Sequence, residues 1–316
     1  MTALLLASGL GLLVFGGEAL VRGSVALALR SGLTPLFVGL TVVSFGTSAP
    51  ELAVSLDASL SGEASVAVGN VIGSNIANLA LILGVSALLR PVKVKSKLVK
   101  LDVPILIVCS FIVAGLLADG SLGRLEGLLL IIALVAYAVF GFRLARRETR
   151  EIQREFEGSL PRHSRASVRQ VILILGGIGA LALGGHVFVD GALRLAHVVG
   201  VSPAVIALSV VAVGTSLPEL ATSVIASVKG HPDLAMGNAI GSNIFNLLGI
   251  LGIAALVHPL SLGDVRLEDI GAMIGYALLL LILLRTRFEL NRWEGGLLFI
   301  SYWGYVVWLF IRLPGV

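Results

Sequence analysis

The sequence predicts an all-α membrane protein of ten transmembrane helices, arranged as two inverted repeats of five helices each. Two observations support this fold: long apolar stretches with few charges, and a sequence that repeats itself at an offset of 168 residues. Hydrophobic residues make up 57% of the 316 residues and charged residues only 13%. A hydrocarbon core of ~30 Å needs about 20 apolar helical residues to cross it. Because lipid offers no hydrogen-bond partners, such runs cross it as helices.

Proline, glycine and charged residues divide the chain into ten candidate spans. The charge-free stretches Ala64 to Leu89 and Leu234 to Val257 are each long enough to cross a bilayer. The first segment has neither a basic region nor a cleavage site, so we expect a retained span rather than a signal peptide. In chain order the candidates are residues 2–29, 34–60, 64–89, 101–118, 122–145, 169–197, 203–228, 234–257, 267–284 and 293–312.

The basic residues orient these spans. Five lysines and arginines lie between Arg90 and Lys100, and eight arginines lie between Arg143 and Arg169. Because cytoplasmic loops are enriched in Lys and Arg, we expect both segments inside, which places the N-terminus and the C-terminus outside. A nucleic-acid patch is the alternative interpretation of the arginine-rich segment. Its interleaved glutamates disfavour that alternative, so no nucleic-acid partner is expected.

The internal repeat sets the predicted domain organisation. Residues 40–88 align without a gap on residues 208–256, and 29 of the 49 positions are identical. The best-matching blocks are GTSAPELA with GTSLPELA, and GNVIGSNIAN with GNAIGSNIFN. Each unit has five spans, and tandem units of odd span number insert in opposite directions, as in many secondary transporters. We expect a first repeat at 1–145, a cytoplasmic linker at 146–168 and a second repeat at 169–316.

Each repeat carries one glutamate in the middle of a predicted span. In the first repeat Pro50 has no backbone N–H, so the helical bond to the Gly46 carbonyl is lost and the helix kinks. Hydroxyl residues lie one turn from the glutamate, and the next span carries a serine and an asparagine one turn apart. These polar residues are Thr47, Ser48, Glu51, Ser74 and Asn78 in the first repeat and Thr215, Ser216, Glu219, Ser242 and Asn246 in the second.

All these groups are oxygen donors, which suit Ca²⁺, Na⁺ or Mg²⁺ better than soft transition metals. Two carboxylates balance the charge of one Ca²⁺. The alternative is that they are helix-packing motifs whose glutamates make only interhelical hydrogen bonds. An unpaired charge in a bilayer is costly and no basic residue lies at matching depth, so we favour a cation site. No cofactor is expected.

Other intramembrane charges are expected to be structural. Glu18 with Arg22, and Asp190 with Arg194, have the spacing of salt bridges on one helix face. Asp57 lies toward the outer end of its span. It either attracts cations to an outer mouth or is an ordinary surface acid.

The paired GTSxPE and GSNIxN blocks closely resemble the alpha repeats of the sodium/calcium exchangers, within the cation/calcium antiporter superfamily. The resemblance covers residues 16–89 and 184–257, and it implies exchange of Ca²⁺ against Na⁺. It also implies Glu51 and Glu219 as central ligands, and backbone carbonyl ligands at Ser44 and Ala212. The side-chain ligands that it adds are Thr47, Ser48, Ser74, Asn78, Thr215, Ser216 and Ser242.

Asn246 departs from this pattern, because some members have Asp at the corresponding position. An Asp there is typical of potassium-dependent relatives, so Asn246 argues against K⁺ co-transport. It also removes a third negative charge, which leaves the number of Na⁺ ions exchanged per Ca²⁺ open.

We therefore expect a multi-pass antiporter in the plasma (cell inner) membrane that works as a monomer by alternating access and transports Ca²⁺ and Na⁺. Exchange of Ca²⁺ for H⁺ is the first alternative, since buried glutamates can carry protons. A channel is less favoured, because two kinked helices with acidic centres indicate an occluded site. A membrane-embedded enzyme would need a nucleophile–base pair or a metal cluster near a membrane face, which the sequence does not offer.

Overall fold

The chain folds into a bundle of long helices in this computed structural model, which describes residues 2–155, 168–199, 212–263 and 265–312. Four short strands connect helix ends in these ranges: β1 (Val92–Lys93), β2 (Ser121–Leu122), β3 (Leu260–Ser261) and β4 (Glu289–Leu290). The helices are α1 (Thr2–Ser31), α2 (Pro35–Thr47), α3 (Ala49–Leu60), α4 (Ala64–Leu89), α5 (Leu98–Asp119), α6 (Arg124–Glu155), α7 (Val168–Val199), α8 (Ala212–Thr215), α9 (Leu217–Val228), α10 (Pro232–Val257), α11 (Leu267–Arg287) and α12 (Arg292–Arg312).

The described helices confirm a polytopic helical membrane protein. Seven of them are long and apolar enough to cross a bilayer, and the bent pair α2–α3 makes an eighth. The apolar helix α9 is shorter, with 12 residues. The predicted seventh span begins at residue 203, and residues 203–211 lie outside the described residues. The count of ten spans, the inverted relation of the repeats and the orientation remain predictions.

Helix α6 is longer than the sequence analysis predicts. It ends at Glu155, ten residues beyond the predicted end at residue 145. The added segment has no glycine or proline before Gly158 and is rich in arginine and glutamate, which are good helix formers. The first part of the predicted linker is therefore helical, and residues 156–167 lie outside the described residues.

The proline kink predicted in the first repeat is present, and its counterpart recurs in the second. The axes of α2 and α3 differ by 46°, and the break falls at Ser48, whose backbone angles are φ −82° and ψ 10°. Ser216, between α8 and α9, has nearly the same angles, φ −87° and ψ 7°. Pro50 and Pro218 follow these serines by two residues, where their missing N–H interrupts the helical ladder.

Helices α4 and α10 form the centre of the bundle. In each, 83% of the apolar span is buried, against 22% for α6. Both contain a π-helical turn, at Ala77–Ile82 and at Asn246–Ile250, which local sequence patterns do not predict. Such turns change the backbone hydrogen-bond register and often occur at functional sites. The outer helices expose large apolar side chains, among them Trp293, as expected of surfaces that face lipid.

The two halves of the chain are interlocked. Strand β1 pairs with β4, and β2 pairs with β3, so each ladder joins the first half to the second. Helix α6 packs on α10 through Gly127 and Gly252, and α12 packs on α4 through Gly295 and Gly84. These two contacts are related by the 168-residue offset, as are the two ladders. The glycines allow the backbones to approach closely, as in many membrane helix pairs.

Helices α1 and α7 pack along most of their length, backbone against backbone. A Cβ atom built on Gly16 would lie 2.8 Å from the carbonyl oxygen of Gly177, and one on Gly177 would lie 2.8 Å from that of Gly16. Gly9 and Gly184, at the positions related to these by the repeat offset, make similar contacts. The pair forms a layer in front of the two kinked segments.

The two predicted ion pairs on these helices are confirmed. Glu18 pairs with Arg22 on α1, and Asp190 lies 3.0 Å from Arg194 on α7. Glu18 also accepts a hydrogen bond of 2.6 Å from the Nζ of Lys229, the residue that follows α9. This second contact ties α1 to the kinked segment of the second repeat and is not evident from the local spacing.

Candidate cation site

The two glutamates lie at the breaks of the two kinked segments. Glu51 is in the first turn of α3 and Glu219 in the first turn of α9, and their exposed fractions are 1% and 0%. The hydroxyl of Ser48 donates to Glu219 Oε1 at 2.8 Å, and the hydroxyl of Ser216 donates to Glu51 Oε1 at 3.3 Å. These reciprocal bonds bring the carboxylates of the two repeats into one buried cluster.

The partners differ from what helical spacing suggests. Regular i, i+3 spacing would place Ser48 on the same face as Glu51. Ser48 is instead the break residue, with non-helical backbone angles, so the helical spacing does not extend across it. Its side chain reaches the glutamate of the other repeat, and Ser216 does the same in return.

Further oxygens surround this cluster. Ser74 Oγ lies 3.4 Å from the Ser216 hydroxyl, and the buried hydroxyl of Ser242 has no hydrogen-bond partner among the described residues. Thr47 is also buried, and its hydroxyl has two acceptors for its single proton, Asn238 Oδ1 at 3.1 Å and the Ser44 carbonyl oxygen at 3.3 Å. The structure thus gathers hydroxyls from both repeats around the two carboxylates.

The two predicted amide ligands lie one turn farther along the central helices. Asn78 follows Ser74 on α4, and Asn246 follows Ser242 on α10, each by four residues, and both asparagines are buried. Their Oδ1 atoms have no hydrogen-bond partner among the described residues, and the same holds for the Oε2 atoms of the two glutamates. Because buried oxygens normally accept hydrogen bonds, these four are available to contact a ligand.

The charge of the cluster points to a cation. The central helices and both kinked segments contain no lysine or arginine in their described ranges. In the described part of the chain, no three or more His, Cys, Asp or Glu side chains are grouped so that they could hold a metal ion. Any cation held here would therefore be bound by two carboxylates and several neutral oxygens, the ligand set of hard cations.

Thr215, another predicted ligand, lies at the edge of a cavity. The cavity has a volume of about 240 Å³ and lies between α3, α7 and the α8–α9 break. Pro50, Pro218, Val54 and His186 also line it. The cavity therefore borders the two breaks whose first helical turns carry the glutamates.

The two predicted backbone ligands are less clearly placed. The Ser44 carbonyl already accepts bonds from the Ser48 N–H, at 3.0 Å, and from the Thr47 hydroxyl. Ala212 is the first residue of α8. Asp57 is exposed on α3, away from the buried cluster.

Four asparagines near the cluster were not among the predicted site residues. Asn70 Nδ2 donates to Ser55 Oγ at 2.9 Å and to the Glu51 carbonyl at 3.1 Å. Asn238 makes the matching bonds to Ser223 and Glu219, at 2.9 and 3.4 Å. These bonds hold each glutamate-bearing helix against a central helix.

The other two asparagines, Asn75 and Asn243, bond to each other's backbone. All four asparagines lie at positions that are identical between the repeats. This identity is the feature of the sequence that could have marked them as site residues.

Comparison with known proteins identifies relatives across the whole chain. The family described as "Sodium/calcium exchanger protein" matches residues 1–143 and 169–311. Inner membrane protein YrbG of Escherichia coli (strain K12) is 37% identical over 313 residues, covering 98% of this chain and 95% of YrbG. Sodium/calcium exchanger MaX1 of Methanosarcina acetivorans is 33% identical over 350 residues, covering 97% and 98%. A solved structure of the sodium-calcium exchanger NCX_Mj superimposes with a TM-score of 0.84 at 28% identity, covering 98% of each chain.

Proposed function

The chain belongs to the sodium/calcium exchanger family, and from this premise we propose that it is an antiporter that exchanges Ca²⁺ for Na⁺ in the plasma membrane. The observation that carries the proposal is the pair of buried glutamates, Glu51 and Glu219, each bonded by a serine of the other repeat and each with one unpartnered oxygen among the described residues. Their two negative charges match one Ca²⁺.

The proposed ligands are the residues that surround these glutamates. Side-chain oxygens of both repeats would bind Ca²⁺ or several Na⁺ in turn, because both are hard cations. Ser44 would contribute its carbonyl once the Thr47 hydroxyl leaves it. The proposed set is Ser44, Thr47, Ser48, Glu51, Ser74, Asn78, Ala212, Thr215, Ser216, Glu219, Ser242 and Asn246.

We propose that the two repeats, residues 1–145 and 169–316, insert in opposite senses, with residues 146–168 as a cytoplasmic linker. Alternating access would then move the α1–α7 layer across the kinked segments, exposing the same site to either side. Without cations, two bare carboxylates would lie in a medium of low dielectric constant, which is costly. This cost disfavours movement of the empty protein and so couples the two fluxes.

We expect purified protein in liposomes to take up Ca²⁺ when Na⁺ is trapped inside and diluted outside. Uptake should be unchanged by an imposed K⁺ gradient, because Asn246 replaces the acid typical of potassium-dependent relatives. The measurement is radioactive Ca²⁺ uptake under Na⁺, K⁺ or H⁺ gradients, with an ionophore that clamps the membrane potential. Protein-free liposomes are the control.

Exchange of Ca²⁺ for H⁺ is the alternative that the same site favours, because each glutamate has an oxygen able to accept a proton. If a pH gradient drives Ca²⁺ uptake in the absence of Na⁺ and a Na⁺ gradient drives none, the protein exchanges Ca²⁺ for H⁺ and not for Na⁺. Ca²⁺ conductance without a counter-gradient would indicate a channel and would contradict antiport.

Thiol labelling tests the proposed orientation. Cys109, the chain's single cysteine, is buried, and Cys109→Ala gives a background without cysteine. His186→Cys, exposed at the cavity, should react with a membrane-impermeant maleimide added to intact cells. Lys229→Cys, on the opposite side, should react only after the cells are permeabilised. Labelling of both from one side, or the reverse pattern, would contradict the N-out orientation.

A further inference from the structure

Four buried asparagines join the two central helices beside the glutamates: Asn75 and Asn78 on α4, and Asn243 and Asn246 on α10. Asn75 Nδ2 lies 3.4 Å from the Asn243 carbonyl oxygen, and Asn243 Nδ2 lies 3.3 Å from the Asn75 carbonyl oxygen. Asn246 Nδ2 donates to Asn75 Oδ1 at 3.0 Å, and Asn78 Nδ2 donates to Asn243 Oδ1 at 2.9 Å. We call these four residues the asparagine network.

The backbone carbonyls determine which way every amide in the network points. A carbonyl oxygen can only accept, so the group of Asn75 that faces the Asn243 carbonyl must be its NH₂. This NH₂ also lies 3.6 Å from the Met273 sulfur, a weak acceptor. Because the NH₂ of Asn75 faces the Asn243 carbonyl, its Oδ1 faces Asn246. The Asn246 group that contacts this oxygen must be a donor, so it is the NH₂. The other half of the network is fixed in the same way. The Asn75 carbonyl requires the NH₂ of Asn243, so Asn243 Oδ1 faces Asn78 and accepts from the NH₂ of Asn78.

Asn78 and Asn246 each use their NH₂ within the network, which leaves their side-chain oxygens without a partner in it. Asn78 Oδ1 and Asn246 Oδ1 accept no hydrogen bond from the described residues. Each lies one helical turn from a serine of the cation cluster, Ser74 or Ser242. The network therefore presents two amide oxygens, and no amide NH₂, on the faces of the central helices that line the cluster.

We propose that Asn75 and Asn243 are positioning residues for cation binding, which fix the amides of Asn246 and Asn78 with their oxygens turned toward the cation. This rests on the proposed function. Without Asn75, the Asn246 amide could rotate by a half-turn and place its NH₂, a donor that repels cations, in the site. The network also requires a donor at residue 246, which an ionised carboxylate cannot supply.

Double-mutant cycles test this assignment. We expect Asn75→Leu and Asn246→Leu each to raise the apparent KM for Ca²⁺ about tenfold, as loss of one hydrogen bond to a charged group does. The double variant should show about the same tenfold rise, because Asn75 acts through Asn246. Asn75→Leu combined with Asn78→Leu should instead raise the KM further, to about a hundredfold, because Asn78 takes its orientation from the Asn243 side chain and not from Asn75.

The second half of the network repeats the test. Asn243→Leu should couple to Asn78→Leu and should multiply with Asn246→Leu. If these asparagines only pack α4 on α10, bonded and unbonded pairs of substitutions should show the same combined effect on the KM, and that result would overturn the proposal. A double variant of Asn75 and Asn246 whose KM rises by the product of the two single effects would overturn it as well. Alanine replaces leucine at any position where leucine prevents membrane insertion.

The reference is wild-type uptake in the same liposomes, driven by whichever cation gradient supports it. If the wild type uses H⁺ and not Na⁺, the proposed Na⁺ coupling is wrong, but the KM for Ca²⁺ still reports on the network. Ser110→Ala, a buried hydroxyl bonded within α5, is the control for nonspecific effects of removing a buried polar group. It should leave the KM unchanged.

Discussion

Glu51→Gln should abolish Na⁺-driven Ca²⁺ uptake. The substitution keeps the shape of the side chain but leaves one carboxylate, Glu219, to balance a divalent cation in a buried site. Removing one member of a buried charged set costs roughly 3–5 kcal/mol, so uptake at subsaturating Ca²⁺ should fall at least about a hundredfold. Glu219→Gln should have the same effect, because the two glutamates occupy matching positions.

The matched control is Asp57→Asn, on the same helix but exposed, which should retain uptake. Thermal stability in detergent separates loss of binding from loss of folding. Without cations, Glu51→Gln should be at least as stable as the wild type, since a bare buried carboxylate is costly. Ca²⁺ should raise the melting temperature of the wild type and not that of the variant. Uptake near the wild-type rate would remove Glu51 from the site.

Gly241→Ala should destabilise the protein and impair transport together. A Cβ on Gly241 of α10 would lie 2.6 Å from the carbonyl oxygen of Leu40 and 2.7 Å from its Cα. These are backbone atoms of α2, so the helices must separate. Overpacking of this kind costs about 1–3 kcal/mol. Ser242 and Asn243 follow directly on α10, so the displacement reaches both the cation cluster and the asparagine network.

Gly275→Ala is the control for this glycine. Gly275 is exposed on α11, and a Cβ there meets no described atom within 4 Å. In a helix interior, alanine is favoured over glycine by about 1 kcal/mol, so this variant should be no less stable than the wild type. The measurement is the melting temperature of both purified variants with and without Ca²⁺. Equal stability of the two would contradict backbone contact between α2 and α10.

The sequence predicts the local features of the site well. Pro50 and its counterpart Pro218 mark the two breaks, because a missing N–H acts on its own helix. The internal repeat shows that whatever surrounds Glu51 recurs around Glu219. Burial of both glutamates follows from the apolar stretches that contain them.

Contacts between the repeats are harder to predict. Helical spacing cannot show that Ser48 bonds to Glu219, because the bond crosses 171 positions of the chain and depends on the angle of the break. The asparagine network is equally non-local, since Asn75 and Asn243 lie on different helices. The π-helical turns near these residues have no sequence pattern of their own. Helix α6 continues to Glu155, beyond its apolar span Arg124–Arg147, because arginine and glutamate continue a helix readily.

The ion pair between Glu18 and Lys229 has no equivalent at the other end of the molecule. Applying the 168-residue offset, Glu18 corresponds to His186 and Lys229 to Ser61, which cannot form such a pair. The two halves therefore differ here: one side has an ion pair between α1 and the end of α9, and at the other side His186 lines the cavity. We expect this difference to set the resting preference of the carrier, holding it ready to receive ions from one compartment. High ionic strength should weaken that preference, because exposed charges are screened by salt.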